Sequence, residues 1–400
     1  MREKAVHQFE SPDLPVNGYT ILALLLLSIT TYAQDDSTRA RTLLDQAIYM
    51  AVEVGMNSRI FANREKDPVW AESWRRTYWG LYTTNLIISG FGLEPNLAID
   101  CIEGDVDLPS DGTEKFVRPR SFEEYEIRDF EDKVPVFSSF AYFIDLVKIA
   151  ASFSSVPYLD GKDREAAVEN ADTKLIAWKS HLPREKQSIV KANGEIDYIL
   201  FHSYVLWQSL IIGIHGPLSR LHRIRVGCND QNLTPADRHE DPHKEIPKGW
   251  LHTKRAFEAI ADTTKLCALP IPIIKQSPLV TNCIVSSTEA SILECSPWLP
   301  CSQKSQARDK IRLALAALND LGKIWDLSAK MSSNLKKMAR NISAASSSPP
   351  DILADELVLR SQNLVNTLEK PINFGALETI WLGDIQPNIP LAAEPDISFS

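Results

Sequence analysis

Cysteine is sparse in this 400-residue chain, and none of its six cysteines forms a C-x-x-C pair. Cys101, Cys228, Cys267, Cys283, Cys295 and Cys301 are scattered, which excludes a local four-ligand zinc site and a small disulfide scaffold. They read as reduced thiols of an intracellular protein, many of them in a core. Glycine is equally scarce, at 16 residues, and falls mostly where helices end. No Gly-rich phosphate loop, nucleophile elbow or Cys–His pairing is present, so an enzyme reading has no positive feature to rest on. Positive charge is in deficit: 43 Lys and Arg face 52 Asp and Glu, a net charge of -9 with a pI near 5.5. Phosphate recognition needs clustered cations, so this composition argues against nucleic-acid binding by the chain unaided.

Long membrane-type runs are also missing near the start. The apolar stretch Tyr19–Ile29, with Thr31-Tyr32-Ala33 behind it, looks like the core of a signal peptide. Glu3, Glu10 and Asp13 dilute Arg2 and Lys4, and Pro12 and Pro15 intervene, so the compact positive lead is absent. The run is also shorter than the ~18 to 20 residues needed to cross a bilayer. It reads as a buried helix, and no membrane partner is expected.

What the chain does have is apolar residues at helical intervals. A hydrophobic content of 44% over this length can bury a substantial core, in one large helical domain or two smaller ones. Tyr19–Tyr32 and Arg39–Val54 are separated by Gln34-Asp35-Asp36-Ser37-Thr38, which can turn the chain and cap the second helix, giving an antiparallel pair. In that second helix Leu43, Leu44, Ala47, Ile48, Ala51 and Val52 recur on one side, and Gly55 suits its end. Asp67-Pro68 opens the next helix with a cap residue and a proline at N1, and it runs to about Ser89. Gly90 to Arg120 reads as an ordered loop, and Phe122–Tyr158 as helical. Further helical periodicity covers Ala166–Leu182, Tyr198–Arg225, Leu251–Leu266, Ser277–Leu293, Ala307–Ile324 and Ser328–Ile342, with no convincing strand alternation.

Among candidates for chemistry, His239-Glu240-Asp241-Pro242-His243 satisfies H-E-x-x-H literally. Two zinc-binding histidines one turn apart need a regular helix, and Pro242 inside the motif breaks it. A zinc metalloenzyme through His239 and His243 is therefore a remote alternative. His202, His215 and His222 lie on or near one apolar helix at separations that do not converge, and read as core or interface residues. Arg75 and Arg76, flanked by Trp74, Tyr78 and Trp79, could stack on a nucleic acid or aromatic ligand. The better reading puts Trp70, Trp74 and Tyr78 in the core, with the arginines paired to carboxylates or helix carbonyls. Ala376–Ser400 holds no Lys or Arg and mixes Glu378, Asp384, Glu394 and Asp396 with Trp381, Ile385 and Phe399.

The block from Leu43 to Pro109 carries the most specific signal. Leu22–Ser28, Ala47–Met56, Trp74-Arg75-Arg76-Thr77-Tyr78-Trp79-Gly80-Leu81-Tyr82 and Asp105-Val106-Asp107-Leu108-Pro109 follow in an order and at intervals that resemble the middle homology region of fungal zinc-cluster transcription factors. His202-Ser203-Tyr204 through His215-Gly216-Pro217-Leu218 continues the likeness, with Gly216 where arginine is usual. Ala307–Leu321, Trp325 and Leu335–Ala339 resemble the late helices of the same region, so the likeness covers roughly 19–342. The resemblance implies an all-α, bundle-like regulatory domain of a nuclear regulator, which in some relatives responds to a small-molecule effector, with no catalytic residues. The family's DNA reader holds two zinc ions in two C-x2-C-x6-C groups. That pattern is absent here, so zinc and direct DNA contact are expected only through a missing N-terminal cluster or a partner; either the start is placed late or the protein acts without one.

The expected organisation is a lead over 1–18, a helical regulatory domain over 19–343, a Ser/Pro linker over 344–350, and a short helix with a disordered acidic tail over 351–400. The expected function is transcription regulation in the nucleus, with the tail recruiting transcription machinery or another regulator and a homodimer compatible with the pattern. No catalytic or metal residues are assigned in this chain, and its cofactor-binding residues are unknown. The alternative is a helical ligand-binding or scaffold protein without a DNA role.

Overall fold

The computed structural model describes residues 14–89, 104–111, 118–131, 135–156, 159, 161–191, 193–219, 248–294 and 301–345. Among them twelve α-helices follow in order: α1 Gly18–Ala33, α2 Ser37–Glu53, α3 Arg59–Asn63, α4 Pro68–Ile88, α5 Phe122–Glu126, α6 Ser139–Ala151, α7 Gly161–Ser180, α8 Tyr198–His215, α9 Lys248–Cys267, α10 Thr281–Glu294, α11 Cys301–Leu321 and α12 Asp326–Ala345. The β-structure among the described residues is two isolated bridges, Leu108 with Arg120 and Val190 with Ile196. The fold is all-α, as the periodicity implies.

Caps fix where the helices begin. Asn17 accepts the amides of Tyr19 and Thr20, Asp36 that of Arg39, Asp67 that of Val69, Ser138 that of Ala141, and Asp197 that of Leu200. Each satisfies a backbone donor that has no partner inside its own helix. Asp36 and Asp67 act as the sequence predicts, and Gly55 follows α2 at φ 72°, a left-handed turn that a β-carbon would strain.

α1 and α2 form the expected antiparallel pair, and α4 packs across both. The crossing is close: a β-carbon on Gly18 would come within 2.9 Å of the Trp74 ring. The other half of the fold is built around α8, which packs against α6, α7, α9 and α10. α8 and its following turn are long and apolar enough to cross a membrane, but most of that surface is buried by its neighbours, as in a core helix. Leu200, Val205 and Ile211 on α8 are almost fully enclosed, each such side chain contributing about 1.5–3 kcal/mol. α11 and α12 form a second hairpin packed on α10, and α12 returns to α1, where Lys330 meets Asp35 at 2.7 Å.

Several boundaries differ from the periodicity. Phe122–Tyr158 is not continuous: α5 gives way to a 3₁₀ turn at Arg128–Phe130, and α6 starts only after Pro135 and the Ser138 cap. Proline disfavours helix in the residue before it, which separates the two pieces. α8 stops at His215, where Pro217 lies within the 3₁₀ turn Gly216–Leu218. α12 runs to Ala345, two residues into the expected linker. His222, the His239–His243 string, the rest of the linker and the tail lie outside the described residues.

His202 links α8 to the turn before α10 by accepting the Ser277 amide on Nε2 at 3.1 Å. Burial pushes its pKa from 6.5 down to about 4, so the folded chain stays unprotonated where the unfolded chain takes up a proton. This contribution to stability is therefore full above pH 6.5 and lost as pH falls toward 4, by at most about 3 kcal/mol. Thermal unfolding between pH 7 and 4.5 should show a steeper acid loss in the wild type than in His202→Gln. Equal slopes would rule out this role for His202.

Candidate functional site

α4 presents two different sides. On one, Trp70 stacks on Trp74 with ring centres 5.2 Å apart, and Tyr19 of α1 sets its edge against both. Trp74, Tyr78 and Trp79 are buried, so this part of the stripe is core as expected, whereas Trp70 is only half-buried against it and Tyr19 is exposed. On the other side Glu72, itself buried, accepts Arg75 Nε at 3.1 Å, Arg76 Nε at 2.8 Å and the Ser110 amide at 2.9 Å. Arg76 also donates to the Ser110 carbonyl oxygen. The arginines are paired to a carboxylate as expected, but the carbonyl belongs to a distant loop. With Trp74 and Arg75 enclosed, no cation–aromatic face remains here for stacking on a base.

That loop is the Asp105–Pro109 segment, and its alternation explains its position. Val106 and Leu108 point into the core, each 3% exposed, while Asp105 and Asp107 face outward. Trp79 Nε1 donates to the Asp107 carbonyl oxygen at 3.0 Å, and the Leu108 amide donates to Arg120 at 2.7 Å. The Ser138 hydroxyl donates to Pro109 at 2.5 Å, tying the loop to the start of α6. Asp105 receives the Arg59 amide at 2.8 Å and its Nε at 2.7 Å, and the amide first, then the guanidinium, hold its pKa below the usual carboxylate value.

A cleft of about 460 Å³ opens beside this loop, bordered by Arg59 and Asn63 of α3, Asp107, and the stretch Arg118 to Ile127. Arg59 is paired with Asp105 and Arg118 with Glu124. Burial raises the pKa of Asp107, against the pull of Arg59 and Arg75. The described lining contains no histidine or cysteine. Such a mixed-charge cleft can hold a small polar molecule.

A second polar centre is built on a buried lysine. Buried Lys186 donates to Ser139 Oγ at 2.6 Å and Asp111 at 2.7 Å, with Asp197 at 3.6 Å. The serine hydroxyl in turn donates to Asp197 at 2.5 Å. Ser139 is 1% exposed and Lys186 is buried, while Asp111 is exposed, so the cluster runs from the interior to the surface and cross-links four segments. Composition and periodicity gave no sign of it, because its members lie far apart in sequence.

The histidines are divided in the same way. His202 stands alone with the Ser277 amide, whereas His215 Nδ1 lies 2.8 Å from His252 Nδ1. His215 Nε2 is 3.4 Å from Asp172, which is also held by Arg255. Burial, then the neighbouring His215, lowers the pKa of His252. Sequence spacing missed His252 and Asp172, which come from α9 and α7 and meet His215 only in the fold. Among the described residues no three His, Cys, Asp or Glu side chains are placed to hold a metal ion. Cys267 and Cys283 are free and belong to no cluster of ligands among the described residues, and burial pushes their thiols up to about 12 and about 11. These two residues do not fit a zinc cluster.

Glu72 is the residue at this site whose loss leaves the most unpaired. Glu72→Ala should destabilise the protein by about 3–5 kcal/mol, because Arg75 stays buried without its carboxylate. Glu72→Gln, which keeps hydrogen-bonding capacity, should cost less. Denaturant unfolding checks both, and an unchanged midpoint for Glu72→Ala would refute the assignment.

Comparison with known proteins gives this site a context. Residues 8–185, which take in the aromatic helix, the acidic loop, the cleft and part of the Lys186 turn, match the fungal specific transcription factor domain. The chain is also similar to the C6 finger domain transcription factor iacK of Pestalotiopsis fici, with 26% identity over 353 residues, 85% of this chain and 51% of that protein. It thus spans about half the length of the curated relative it matches. No solved structure matches. The loop docked on Trp79 and Glu72 lies within the region, residues 8–185, that is similar to the fungal specific transcription factor domain.

Proposed function

We propose that the protein is a transcription regulator of the fungal zinc-cluster type, working in the nucleus, and that the helices described here are its regulatory part. The observation that carries this reading is the match over 8–185, which takes in α1 to α7 and the loop held by Glu72 and Trp79. In this reading zinc and direct DNA contact belong to a cysteine module or partner outside the residues described. A small-molecule effector would enter the cleft beside Asp107, and the acidic segment after α12 would recruit transcription machinery.

Fusing the full chain to an unrelated DNA-binding domain should change expression of a reporter carrying that domain's target, relative to the DNA-binding domain alone. Removing residues 351–400 should abolish an activating response. A reporter indifferent to the fused chain in fungal cells would overturn the proposal.

A further inference from the structure

Charge is distributed very unevenly along this acidic chain. Residues 301–345, which make α11 and α12, contain nine Lys and Arg against three Asp, a net charge of +6 in a protein of net charge -9. The inner sides of the two helices, with Ile311, Leu318, Leu321 and Leu335, are buried. The outer sides expose Arg308, Arg312, Lys336, Lys337 and Arg340. Asn319 fixes the register by accepting Ser332 Oγ and Lys336 Nζ, both at 2.8 Å. Arg312, two turns before Asn319, is therefore level with Arg340 on the antiparallel partner. Ala316, Asn319 and Ser333 are exposed between these cations, and the exposed acids Asp309 and Asp320 are each paired with a nearby cation, Arg312 and Lys323, so the face keeps a basic excess. Arg312 is paired with Asp309, while Arg308 and Lys337 make no ion pair among the described residues.

The chain that follows α12 has the opposite character. Residues 351–400 contain eight Asp and Glu against two Lys and Arg, a net charge of -6. Beyond Lys370 there are four acids and no base. We propose that the basic outer face of α11 and α12 is the docking surface for this chain's own acidic segment 376–400. Covalent connection makes the encounter intramolecular, which raises the effective concentration of the acids at the face. The tether does not limit it: more than thirty residues separate Ala345 from Glu378 and can extend by roughly 3.3–3.6 Å each, against a helix about 30 Å long. The contact is between exposed charges, so salt weakens it. The docking stands whether or not the same segment recruits transcription machinery.

The test is zero-length carbodiimide coupling of the full chain, mapped by mass spectrometry in an equal mixture of isotopically light and heavy protein. At low salt, Lys336 or Lys337 should be joined to Glu378, Asp384, Glu394 or Asp396, with both peptides carrying the same label. These links should fall to background at about 0.5 M salt, where the Debye length is only a few ångströms. They should also fall in R308E/R312E/R340E, which keeps both coupling lysines. All three positions are exposed, and an unchanged circular dichroism spectrum of the triple variant confirms that the fold survives. Pairs of mixed label would assign the segment to a second copy and overturn the intrachain proposal. Absence of the links at low salt would also overturn it. A fluorescent DNA duplex that binds the full chain, loses affinity in the triple variant and is indifferent to removal of 371–400 would assign the face to nucleic acid instead.

Discussion

The matched domain depends on one enclosed carboxylate. Glu72 binds two arginine side chains and the amide of Ser110, thirty-eight residues away. Burying a carboxylate is costly unless its oxygens are occupied by donors. Once α4 folds with Arg75 and Arg76 one turn on, the remaining acceptor capacity of Glu72 selects a loop that brings an amide to it. The acidic loop does so while placing Val106 and Leu108 in the core and giving Trp79 its acceptor. Neither partner is satisfied without the other. This explains how a loop of alternating acids and aliphatics holds one position without belonging to a sheet.

The same loop creates the cleft. Asp105 is occupied by Arg59 of α3, so Asp107 is left on the cleft side, where burial opposes its ionisation. Arg118 arrives from the stretch that leads to Arg120, whose carbonyl receives the Leu108 amide. The cleft is thus a by-product of how the loop is held, and its polar lining is fixed by the core beneath it. Binding there would act directly on the loop and, through Glu72 and Trp79, on α4.

Local features were legible in the sequence and long-range meetings were not. Asp67-Pro68, Gly55 and the Gln34–Thr38 turn announced helix ends, because capping depends on neighbours a few residues apart. Trp74 and Tyr78 announced a buried face through helical spacing, with Trp70 half-buried at its end. Glu72 could have been found by the same rule, lying three and four residues before Arg75 and Arg76. By contrast, Lys186 with Ser139, and His215 with His252, come from segments joined only by packing. The continuous helix expected over Phe122–Tyr158 failed because apolar periodicity on both sides of Pro135 outweighed the proline itself.

Net charge misleads for the same reason that average hydrophobicity does. A total of -9 argues against phosphate recognition only if the charges are mixed, since fields at a surface depend on what lies within about a Debye length. Here the cations gather on the last two helices and the acids immediately after them. Two neighbouring stretches of equal and opposite charge give the chain a partner for its basic face before any other molecule arrives. Nucleic acid or another acidic protein must therefore compete with a ligand that is always present, and the affinity of this face for outside partners is set by the difference between the two.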